Sequence, residues 1–233
     1  MECLRVGRDV YNQSDMEASI KMTGLAAGRD VAGELCRAGT QLHQRGWMLA
    51  TSGNLSAVTS RDPLRLAITA SGVDKGTLTP ERILTVDETG QVIGAEVRAS
   101  DETALHLVIV GQTGAGSVLH THSIWNTLAS ERGAQNGGWT IEGYEMLKGL
   151  RGVTTHEHRE WVPVLENSQD YEALARELRA TLERHPEAHG ILLRRHGLYT
   201  WGRDVAEARR HVEVLEFLFE VAGRLEPRAG DLP

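Results

Sequence analysis

Hydrophobic positions along this chain recur at two spacings, and the alternation between them predicts which segments are helices and which are strands. In residues 26–45 the apolar side chains fall three to four residues apart, at Val31, Leu35, Ala38 and Leu42. That spacing places them on one face of a helix. We therefore predict a helix over 26–45 that packs this face against the rest of the domain.

Shorter apolar or alternating runs that end in small or polar residues predict strands and turns. The segment MLATSGNLSAV, residues 48–58, predicts a strand that enters a Ser-Gly-Asn turn and leaves as a second strand. The stretches ILTVD and GQVIG, within residues 83–94, predict a hairpin. The other predicted strands are LRLAIT (64–69), SVLHTH (117–122), WVPVL (161–165), GILLRR (190–195) and GLYTWG (197–202).

Four further segments have the periodicity of helices. They are SDETALHLVIVGQ (100–112), SIWNTLAS (123–130), DYEALARELRATLERH (170–185) and VAEARRHVEVLEFLFEVAGRL (205–225). Ser100 is the predicted N-cap of the first, with acidic residues in its first turn, and Asp204 is the predicted N-cap of the last.

This order of elements predicts an α/β fold. Strands and helices are interleaved, and the short turns favour mixed or antiparallel pairing in one central sheet. At 233 residues the chain is long enough to bury a substantial core. We predict a single domain over residues 25–226, its sheet flanked by helices, with a lead-in over 1–24 and a tail over 227–233.

Composition narrows the class of partner. The net charge is −7, so a nucleic-acid partner is not expected. Two isolated cysteines make no disulfide framework, so an oxidising compartment is not expected either. No run approaches the roughly 20 apolar residues that span a bilayer, and the N-terminus lacks the apolar core of a signal peptide. We expect a cytoplasmic protein with no nucleic-acid or membrane partner. A small anionic metabolite is still compatible with this charge.

The predicted strand SVLHTH contains two histidines, and residues two apart on a strand point to the same face. His120 and His122 therefore project side by side, either as ligands of one metal ion or as hydrogen-bonded residues at a strand end. His196 follows the predicted strand GILLR and precedes a glycine, so it also lies at a strand end. Three convergent imidazoles would form an open zinc site of the catalytic kind, because structural zinc sites are closed and rich in cysteine.

The other histidines have simpler interpretations. His156 and His158 lie between charged residues with no apolar strand leading into them, so a solvated loop is expected there. His106 lies inside a predicted helix and is expected to be a hydrogen-bonded core residue. The remaining histidines, in polar parts of helical patterns, are predicted to lie on the surface; they are His43, His185, His189 and His211.

Two small-residue turns offer hydroxyl and backbone N–H groups to an anion. TSGN spans 51–54, TASG spans 69–72, and Lys75 follows the second turn. Such groups of donors suit a phosphate or a carboxylate. Taken singly, either turn is more simply an ordinary β-turn.

Taken together, these stretches resemble the class II (zinc) aldolase family. The motifs SGNLS, ITASGVDKG, VLHTHS and RRHGLYTWG, with an acidic helix start at Glu102, occur in that family's order and at its approximate spacing. The resemblance extends from about Ala26 to Leu225. It implies the fold of this family and a homotetramer.

The resemblance also implies roles for individual residues. His120, His122 and His196 would ligate one Zn²⁺ per subunit, and Glu145, in YEMLKGL, would be the catalytic acid–base residue. The implied substrate-binding residues are Ser52, Gly53, Asn54, Ser71, Gly72, Lys75, Ser100 and Glu102. Glu145 follows a glycine and a tyrosine, a setting in which partial burial would raise the pKa of its carboxyl.

One segment departs from the family pattern. RASDE, residues 98–102, replaces the usual KPS-E entry to the acidic helix. Arg98 can replace the lysine as a cation and Ser100 is kept, but loss of the proline and the presence of Asp101 put the phosphate contacts of this segment in doubt. Glu102 stands where the aldolases place a carboxylate near the metal, so its role here is left open.

The stretches IEGYEMLKGL, TTHEH, VPVLENSQD and LLRRHGLYTWG are most similar to family members that remove water from a ketose phosphate. They imply dehydration of 5-methylthioribulose 1-phosphate to 5-methylthio-2,3-dioxopentyl phosphate, a step of methionine salvage. Two other functions stay open. One is a class II aldolase or epimerase of the fuculose or ribulose phosphate type, which YEMLKGL argues against. The other is a non-enzymatic adducin-like scaffold, which the three retained histidines argue against.

Overall fold

The computed structural model of this protein describes residues 31–94 and 99–225. Its α-helices are α1 (31–44), α2 (Thr103–Thr113), α3 (Ile124–Gly133), α4 (Tyr171–Arg184) and α5 (Val205–Leu225). Its strands are β1 (Asn54–Arg61), β2 (Leu64–Thr69), β3 (Ile83–Val86), β4 (Ser117–Thr121), β5 (Gly138–Glu142), β6 (Arg159–Leu165), β7 (Gly190–Leu193) and β8 (Gly197–Gly202). Short 3₁₀ helices lie at Lys75–Thr77, Pro80–Arg82, Ala134–Asn136 and Glu145–Gly149. Within these described residues, no helix combines the length and apolar character needed to cross a bilayer.

The predicted lead-in over 1–24 and the predicted tail over 227–233 lie outside the described residues. Arg98, in the segment that departs from the family pattern, also lies outside them. The proposed domain boundaries near residues 25 and 226 therefore remain predictions.

All eight strands join one sheet in the order β3-β2-β1-β4-β8-β7-β6-β5. Every neighbouring pair is antiparallel except β6 and β7, which run parallel. The predicted α/β fold, a mixed sheet flanked by helices, is confirmed. In the middle of this sheet, Asn54 of β1 lies opposite His120 of β4, which lies opposite Tyr199 of β8.

Helices cover both faces of the sheet. Side chains alternate between the two faces along a strand, so Val118 and Leu119 of β4 point in opposite directions. Val118 belongs to an apolar core shared with α2 and α4, whereas Leu119 belongs to one shared with α1 and the first half of α5. A third core joins α3, the 145–149 helix and the second half of α5. Burial of these apolar faces is the main stabilising contribution to the fold.

The start of α2 differs from the prediction. The helix begins at Thr103 with Glu102 as its N-cap, so the acidic residues precede the first turn. Ser100 is therefore not the N-cap. Its hydroxyl accepts a hydrogen bond from the Glu102 backbone N–H at 3.3 Å, and the Thr103 N–H closes a turn to the Ser100 carbonyl at 2.9 Å. This turn takes up the residues that the pattern assigns to the first helical turn.

Four predicted strands are shorter than their predicted runs, and one of them, predicted over 117–122, ends at Thr121. Met48 forms only an isolated bridge with His122, and Val92 only an isolated bridge with Val86. The strand predicted over 190–195 ends at Leu193 because the chain turns there into β8. β5 is a strand beyond those predicted, and it pairs antiparallel with β6 at the edge of the sheet.

A buried carboxyl ties α5 to the junction between β4 and α3. Glu216 of α5 accepts hydrogen bonds from the Ser123 hydroxyl at 2.5 Å, the Asn126 amide at 2.8 Å and the Thr121 hydroxyl at 3.4 Å. Burial raises the pKa of Glu216 to about 7, and the hydrogen bonds only partly oppose that effect. The residues on either side of His122 are thus held by a carboxyl that titrates near neutral pH.

Replacing Glu216 by glutamine is expected to stabilise the protein at alkaline pH. The folded state holds this pKa at about 7, above its ordinary value of 4.5, so the unfolded chain releases the proton first. Wild-type stability is therefore lost progressively as the pH rises from about 4.5 to about 7, and Glu216→Gln removes that loss. The melting temperature of the variant relative to wild type should rise by several degrees between about pH 5 and about pH 8.

Glu213→Gln, on the same helix as Glu216, serves as the control, and it removes an ion pair between Glu213 and Arg45. It should leave the pH dependence of the melting temperature close to that of wild type. A flat difference between Glu216→Gln and wild type across this range would show that Glu216 titrates alike in the folded and unfolded states.

Candidate functional site

Three histidines from two parts of the chain meet beside the end of β4. His120 lies in β4, His122 follows the strand, and His196 lies in the turn between β7 and β8. The Nε2 atom of His120 lies 2.8 Å from that of His122 and 3.4 Å from that of His196. Among the described residues, this is the one group of three histidine, cysteine or acidic side chains whose ligand atoms all lie within 4.8 Å of one another. The structure thus brings the three predicted metal ligands together.

Contacts on the far side of the rings orient two of these imidazoles. The N–H on Nδ1 of His120 donates to the Leu198 carbonyl at 3.1 Å, which leaves the lone pair on Nε2. Nδ1 of His196 faces the side-chain oxygen of Asn167 at 3.2 Å in the same way. The ring of Tyr199 stacks on His120 with its centroid 3.9 Å away. The Nε2 atoms therefore face the middle of the group, as second contacts of this kind arrange in metal sites.

Burial keeps the imidazoles of His120 and His122 neutral. It lowers the pKa of the fully buried His120 well below its ordinary value, and it lowers the pKa of His122 to about 4. Neutral imidazole is the form that ligates a metal ion. These two imidazoles can therefore bind a cation at neutral pH without first losing a proton.

A carboxylate completes the group. Oε1 of Glu102 lies 3.2 Å from Nε2 of His196, and Oε2 lies 3.8 Å from Nε2 of His120. Burial alone would raise the pKa of Glu102, but its contacts with His196 and His120 and a hydrogen bond from Asn54 hold it well below its usual range. Glu102 is thus an anion beside the three nitrogens.

A buried series of hydrogen bonds holds the carboxylate of Glu102 in place. The amide nitrogen of Asn54 donates to Glu102, and its amide oxygen accepts a hydrogen bond from Nε2 of His106. The hydroxyl of Ser56 bonds Nδ1 of His106 at 2.7 Å. His106 is therefore the hydrogen-bonded core residue that the sequence predicts, and it connects the core of the sheet to the site.

This donor set fits a divalent metal ion. Zinc binds imidazole nitrogen at about 2.0–2.1 Å, so two nitrogens on a tetrahedral zinc lie about 3.3 Å apart. The separations of 3.4 and 2.8 Å lie on either side of that value. Three imidazoles with a carboxylate beside them form an open site of the catalytic kind rather than a closed cysteine site.

Two glycines allow the turns to approach the histidines. A side chain at Gly53, where φ is +71°, would place its Cβ 2.5 Å from the carbonyl oxygen of His120. A Cβ at Gly197 would lie 2.3 Å from the Thr121 carbonyl oxygen and 2.8 Å from Cε1 of His120. Because both positions exclude a side chain, the 51–54 turn and the turn that carries His196 can close against β4.

Beside the histidines lies a pocket of about 580 Å³. Its lining includes His122 together with seven of the eight predicted substrate-binding residues, namely Ser52, Gly53, Asn54, Ser71, Gly72, Ser100 and Glu102. Asp101 of the RASDE segment and Tyr171 at the start of α4 also line it. No motif marks Tyr171, because α4 reaches the pocket only through tertiary packing.

Lys75, the eighth predicted residue, is not among the residues that line the pocket. Its side chain is 1% exposed, and its ammonium donates hydrogen bonds to the carbonyls of Thr51 at 2.9 Å and Val73 at 2.7 Å. Burial lowers its pKa to about 8. Lys75 thus joins the two small-residue turns from beneath, which places it in contact with the frame of the pocket.

Glu145 is also absent from the lining of the pocket. It begins the 145–149 helix with 72% of its side chain exposed, it pairs with Lys148, and one oxygen lies 3.7 Å from Nδ1 of His156. The hydrogen bond from Lys148 lowers its pKa. The expectation that partial burial raises this pKa is therefore wrong for the isolated chain, because the carboxylate faces solvent and a cation.

The remaining histidines divide into two groups. His156 is exposed, as predicted, and His158 is half-buried, donating to the buried Glu160 at 2.8 Å. The surface prediction is wrong for His189, which pairs with Glu160 at 3.0 Å, and for His211, which is 2% exposed. His211 shares the apolar face of α5, three residues after Ala208 and four before Leu215, and that spacing was the available sign of its burial.

Comparisons with family profiles, with known sequences and with solved structures agree on one family. The sequence profile of the class II aldolase and adducin N-terminal domain matches residues 33–222. A methylthioribulose-1-phosphate dehydratase of Marinobacter nauticus is 46% identical over 190 residues, which cover 81% of this chain and 90% of that protein. That of Sorangium cellulosum is 43% identical over 206 residues, which cover 88% and 96%. Among solved structures, the L-fuculose-1-phosphate aldolase of Thermus thermophilus matches with a TM-score of 0.64 at 27% identity, covering 88% of this chain and 96% of that one.

The purified protein is expected to contain about one zinc ion per chain, and His122→Ala should lose most of it, because only two convergent imidazoles remain. Elemental analysis after exhaustive dialysis gives the stoichiometry. The matched control is the double variant His156→Ala/His158→Ala, which removes two histidines of the 150–158 loop. Full zinc in His122→Ala with loss in the double variant would place the metal at the other pair.

Proposed function

The chain belongs to the class II aldolase and adducin N-terminal domain family, and we propose that it is a hydro-lyase acting on 5-methylthioribulose 1-phosphate. The product is 5-methylthio-2,3-dioxopentyl phosphate. The observation that carries this function is the identity of 43–46% to two methylthioribulose-1-phosphate dehydratases over most of both chains. The pocket beside three imidazoles and a carboxylate supplies the chemistry that such a reaction needs.

An aldolase or epimerase of the same fold is the second candidate. It is favoured by the match to an L-fuculose-1-phosphate aldolase, but at the lower identity of 27%. Both reactions need a polarised ketose and a bound phosphate, so the histidines and the turns do not separate them. The higher identity to dehydratases favours elimination of water. A non-enzymatic scaffold would have no use for three imidazoles that converge beside a carboxylate.

His120, His122 and His196 would hold one Zn²⁺ per subunit, with Glu102 beside it. When bound, the ion supplies positive charge that stabilises negative charge developing on the ketose oxygens. The carboxylate of Glu102, held by a hydrogen bond from Asn54, would add a negative charge beside the metal ion. This role needs no proton transfer. Zinc is proposed over other divalent ions because three imidazole nitrogens suit it.

The elimination breaks two bonds and forms one. A base takes the proton from C3, the C4–oxygen bond breaks, and a C3–C4 double bond forms. The departing hydroxyl receives a proton and leaves as water. The resulting enol at C3 then moves its hydroxyl proton to C4, which gives the 2,3-diketone. The chain must therefore provide one group that accepts the C3 proton and a proton for the C4 hydroxyl, and one carboxyl can do both in turn.

The phosphate is proposed to bind between the 51–54 and 69–72 turns. The hydroxyls of Ser52 and Ser71 and the residues around Gly53 and Gly72 line this part of the pocket. Lys75 connects the two turns from beneath through the Thr51 and Val73 carbonyls. A dianion bound here fixes the sugar relative to the histidines, so the turns contribute position rather than proton transfer.

We assign the proton transfers to Glu145, and this assignment has a structural consequence. In its own chain Glu145 is exposed and lies outside the lining of the pocket. To act, it must therefore reach the pocket of another copy, which agrees with the proposed homotetramer. Burial against a second chain would remove it from solvent and raise its pKa toward the range useful for acid–base catalysis. We further propose that the reaction serves methionine salvage in the cytoplasm.

The function is tested by product analysis with three substrates. The zinc-loaded protein is incubated with 5-methylthioribulose 1-phosphate, fuculose 1-phosphate and ribulose 5-phosphate, and products are identified by mass spectrometry. Loss of one water from the first substrate, with little change in the others, is expected. Cleavage of fuculose 1-phosphate or epimerisation of ribulose 5-phosphate at a greater kcat/KM would assign the protein to the second candidate function.

Glu145→Gln is expected to keep zinc, fold and KM but to lose roughly 10²–10⁴-fold in kcat, the scale of removing a general acid–base group. Glu142→Gln, three residues away and also exposed, should stay within a few-fold of wild type. Steady-state kinetics with parallel zinc analysis measures both. Normal turnover by Glu145→Gln, with Glu102→Gln inactive but zinc-loaded, would move the proton transfers to Glu102.

Lys75→Met is expected to raise KM by roughly 10–100-fold, the scale of losing a hydrogen bond from a charged group, with a smaller loss in kcat. The reason is that the substituted chain no longer joins the two turns, while the bound phosphate is common to ground state and transition state. Kinetics with 5-methylthioribulose 1-phosphate provides both constants. An unchanged KM with a collapsed kcat would place Lys75 at the reacting centre instead.

A further inference from the structure

The turn that carries His196 has an unusual backbone. Arg195, the residue before His196, has a φ of +56°. In the part of the chain that the structure describes, Ala50 is the only other non-glycine residue with positive φ. A side chain in this left-handed conformation crowds the backbone. Arg195 is the third residue of a β-turn closed by the His196 N–H and the Leu193 carbonyl at 3.1 Å, and turns with positive φ at that position normally place glycine there. The arginine at this position therefore calls for an interaction that compensates the strain.

One carboxylate of α3 provides that interaction. Glu131 accepts hydrogen bonds from Nε and Nη2 of Arg195 at 2.6 and 2.8 Å, and from Nε and Nη2 of Arg194, both at 3.0 Å. Two forked guanidinium contacts on one carboxylate fix direction as well as distance. The preceding residue of α3 adds a third contact, because the Ser130 hydroxyl accepts the Arg195 backbone N–H at 2.9 Å.

These contacts hold the two residues that directly precede His196 in the turn. The turn reaches back to the sheet through the Arg194 N–H, which bonds the Leu165 carbonyl at 2.8 Å. His196 projects from the same turn to within 3.4 Å of His120. Whatever holds residues 194 and 195 therefore sets the position of the His196 ring relative to the two histidines of β4.

We propose that Glu131 is a positioning residue for His196. Its carboxylate, by holding the guanidiniums of Arg194 and Arg195, keeps Arg195 in the left-handed conformation that directs His196 toward His120 and His122. This inference rests on the metal-binding part of the proposed function, and nothing in it requires Glu131 to touch the substrate or the metal. The residue acts only through the turn.

The proposal is tested with zinc affinity, measured by competition with a chromophoric chelator. Glu131→Gln should weaken zinc binding by about 10–100-fold, the usual scale for removing a contact that orients a ligand. Arg195→Gly alone should bind zinc nearly as wild type, because glycine adopts a positive φ freely. The double variant Glu131→Gln/Arg195→Gly should recover most of the affinity lost in Glu131→Gln, since the strain that Glu131 compensates is no longer present.

A matched control separates positioning from a change in surface charge. Glu166 bonds Arg194 at 2.9 Å but does not contact Arg195, so Glu166→Gln should leave zinc affinity unchanged. The melting temperature of zinc-free Glu131→Gln should stay close to that of zinc-free wild type, and saturating zinc should restore its kcat. A merely structural role would lower the melting temperature of the zinc-free variant and leave its kcat impaired at saturating zinc.

Three results would overturn the proposal: wild-type zinc affinity in Glu131→Gln, no recovery in the double variant, or an equal loss in Glu166→Gln. His196→Ala distinguishes this failure from failure of the metal site itself. If His196→Ala binds zinc as tightly as wild type, the three-histidine site is wrong. If His196→Ala loses zinc and Glu131→Gln does not, only the positioning role falls.

Discussion

The rest of the site depends on one crowded contact, in which three imidazoles and a carboxylate face a common point. Nε2 of His120 lies 2.8 and 3.4 Å from its counterparts in His122 and His196, and Glu102 lies 3.2 Å from His196. Lone pairs and a negative charge at such distances repel, and a cation among them converts the repulsion into attraction. Packing of the surrounding residues offsets the free-energy cost of this repulsion in the folded chain.

Several parts of the fold hold these side chains close together. The central strands align Asn54, His120 and Tyr199 in register, so the amide that holds Glu102 and the ring that stacks on His120 come with the sheet. Bare glycine backbone at two positions lets the neighbouring turns close on β4. Glu216 and Glu131 are two carboxylates from different helices that hold the chain beside His122 and His196. Rigid elements thus fix ligands that would otherwise move apart.

Local patterns in the sequence were sufficient where short-range rules decide the structure. Alternation gave β2 and β8 with their observed bounds, and the i, i+2 rule with a third strand end led to His120, His122 and His196. Tertiary contacts decided the rest. The burial of Lys75 beneath two turns depends on carbonyls supplied by distant residues, and no spacing rule describes that geometry.

The exposure of Glu145 could not be predicted from the sequence either. The family resemblance implied its role, but the surroundings of its carboxylate depend on the fold and on any second copy of the chain. Glu131 and Arg195 were not singled out, since a left-handed arginine is not visible in a sequence pattern. Apart from Lys75 and Glu145, the residues predicted from motifs form the inner part of the site. Those that hold it in place became visible only in three dimensions.

The central claim, that the three imidazoles jointly bind one metal ion, is tested most directly by X-ray absorption spectroscopy at the zinc edge. The zinc-loaded protein should show three imidazole ligands with nitrogen at about 2.0–2.1 Å, and His196→Ala should show two. A shell of sulfur at about 2.3 Å, or a spectrum that the His196→Ala substitution does not change, would contradict the account.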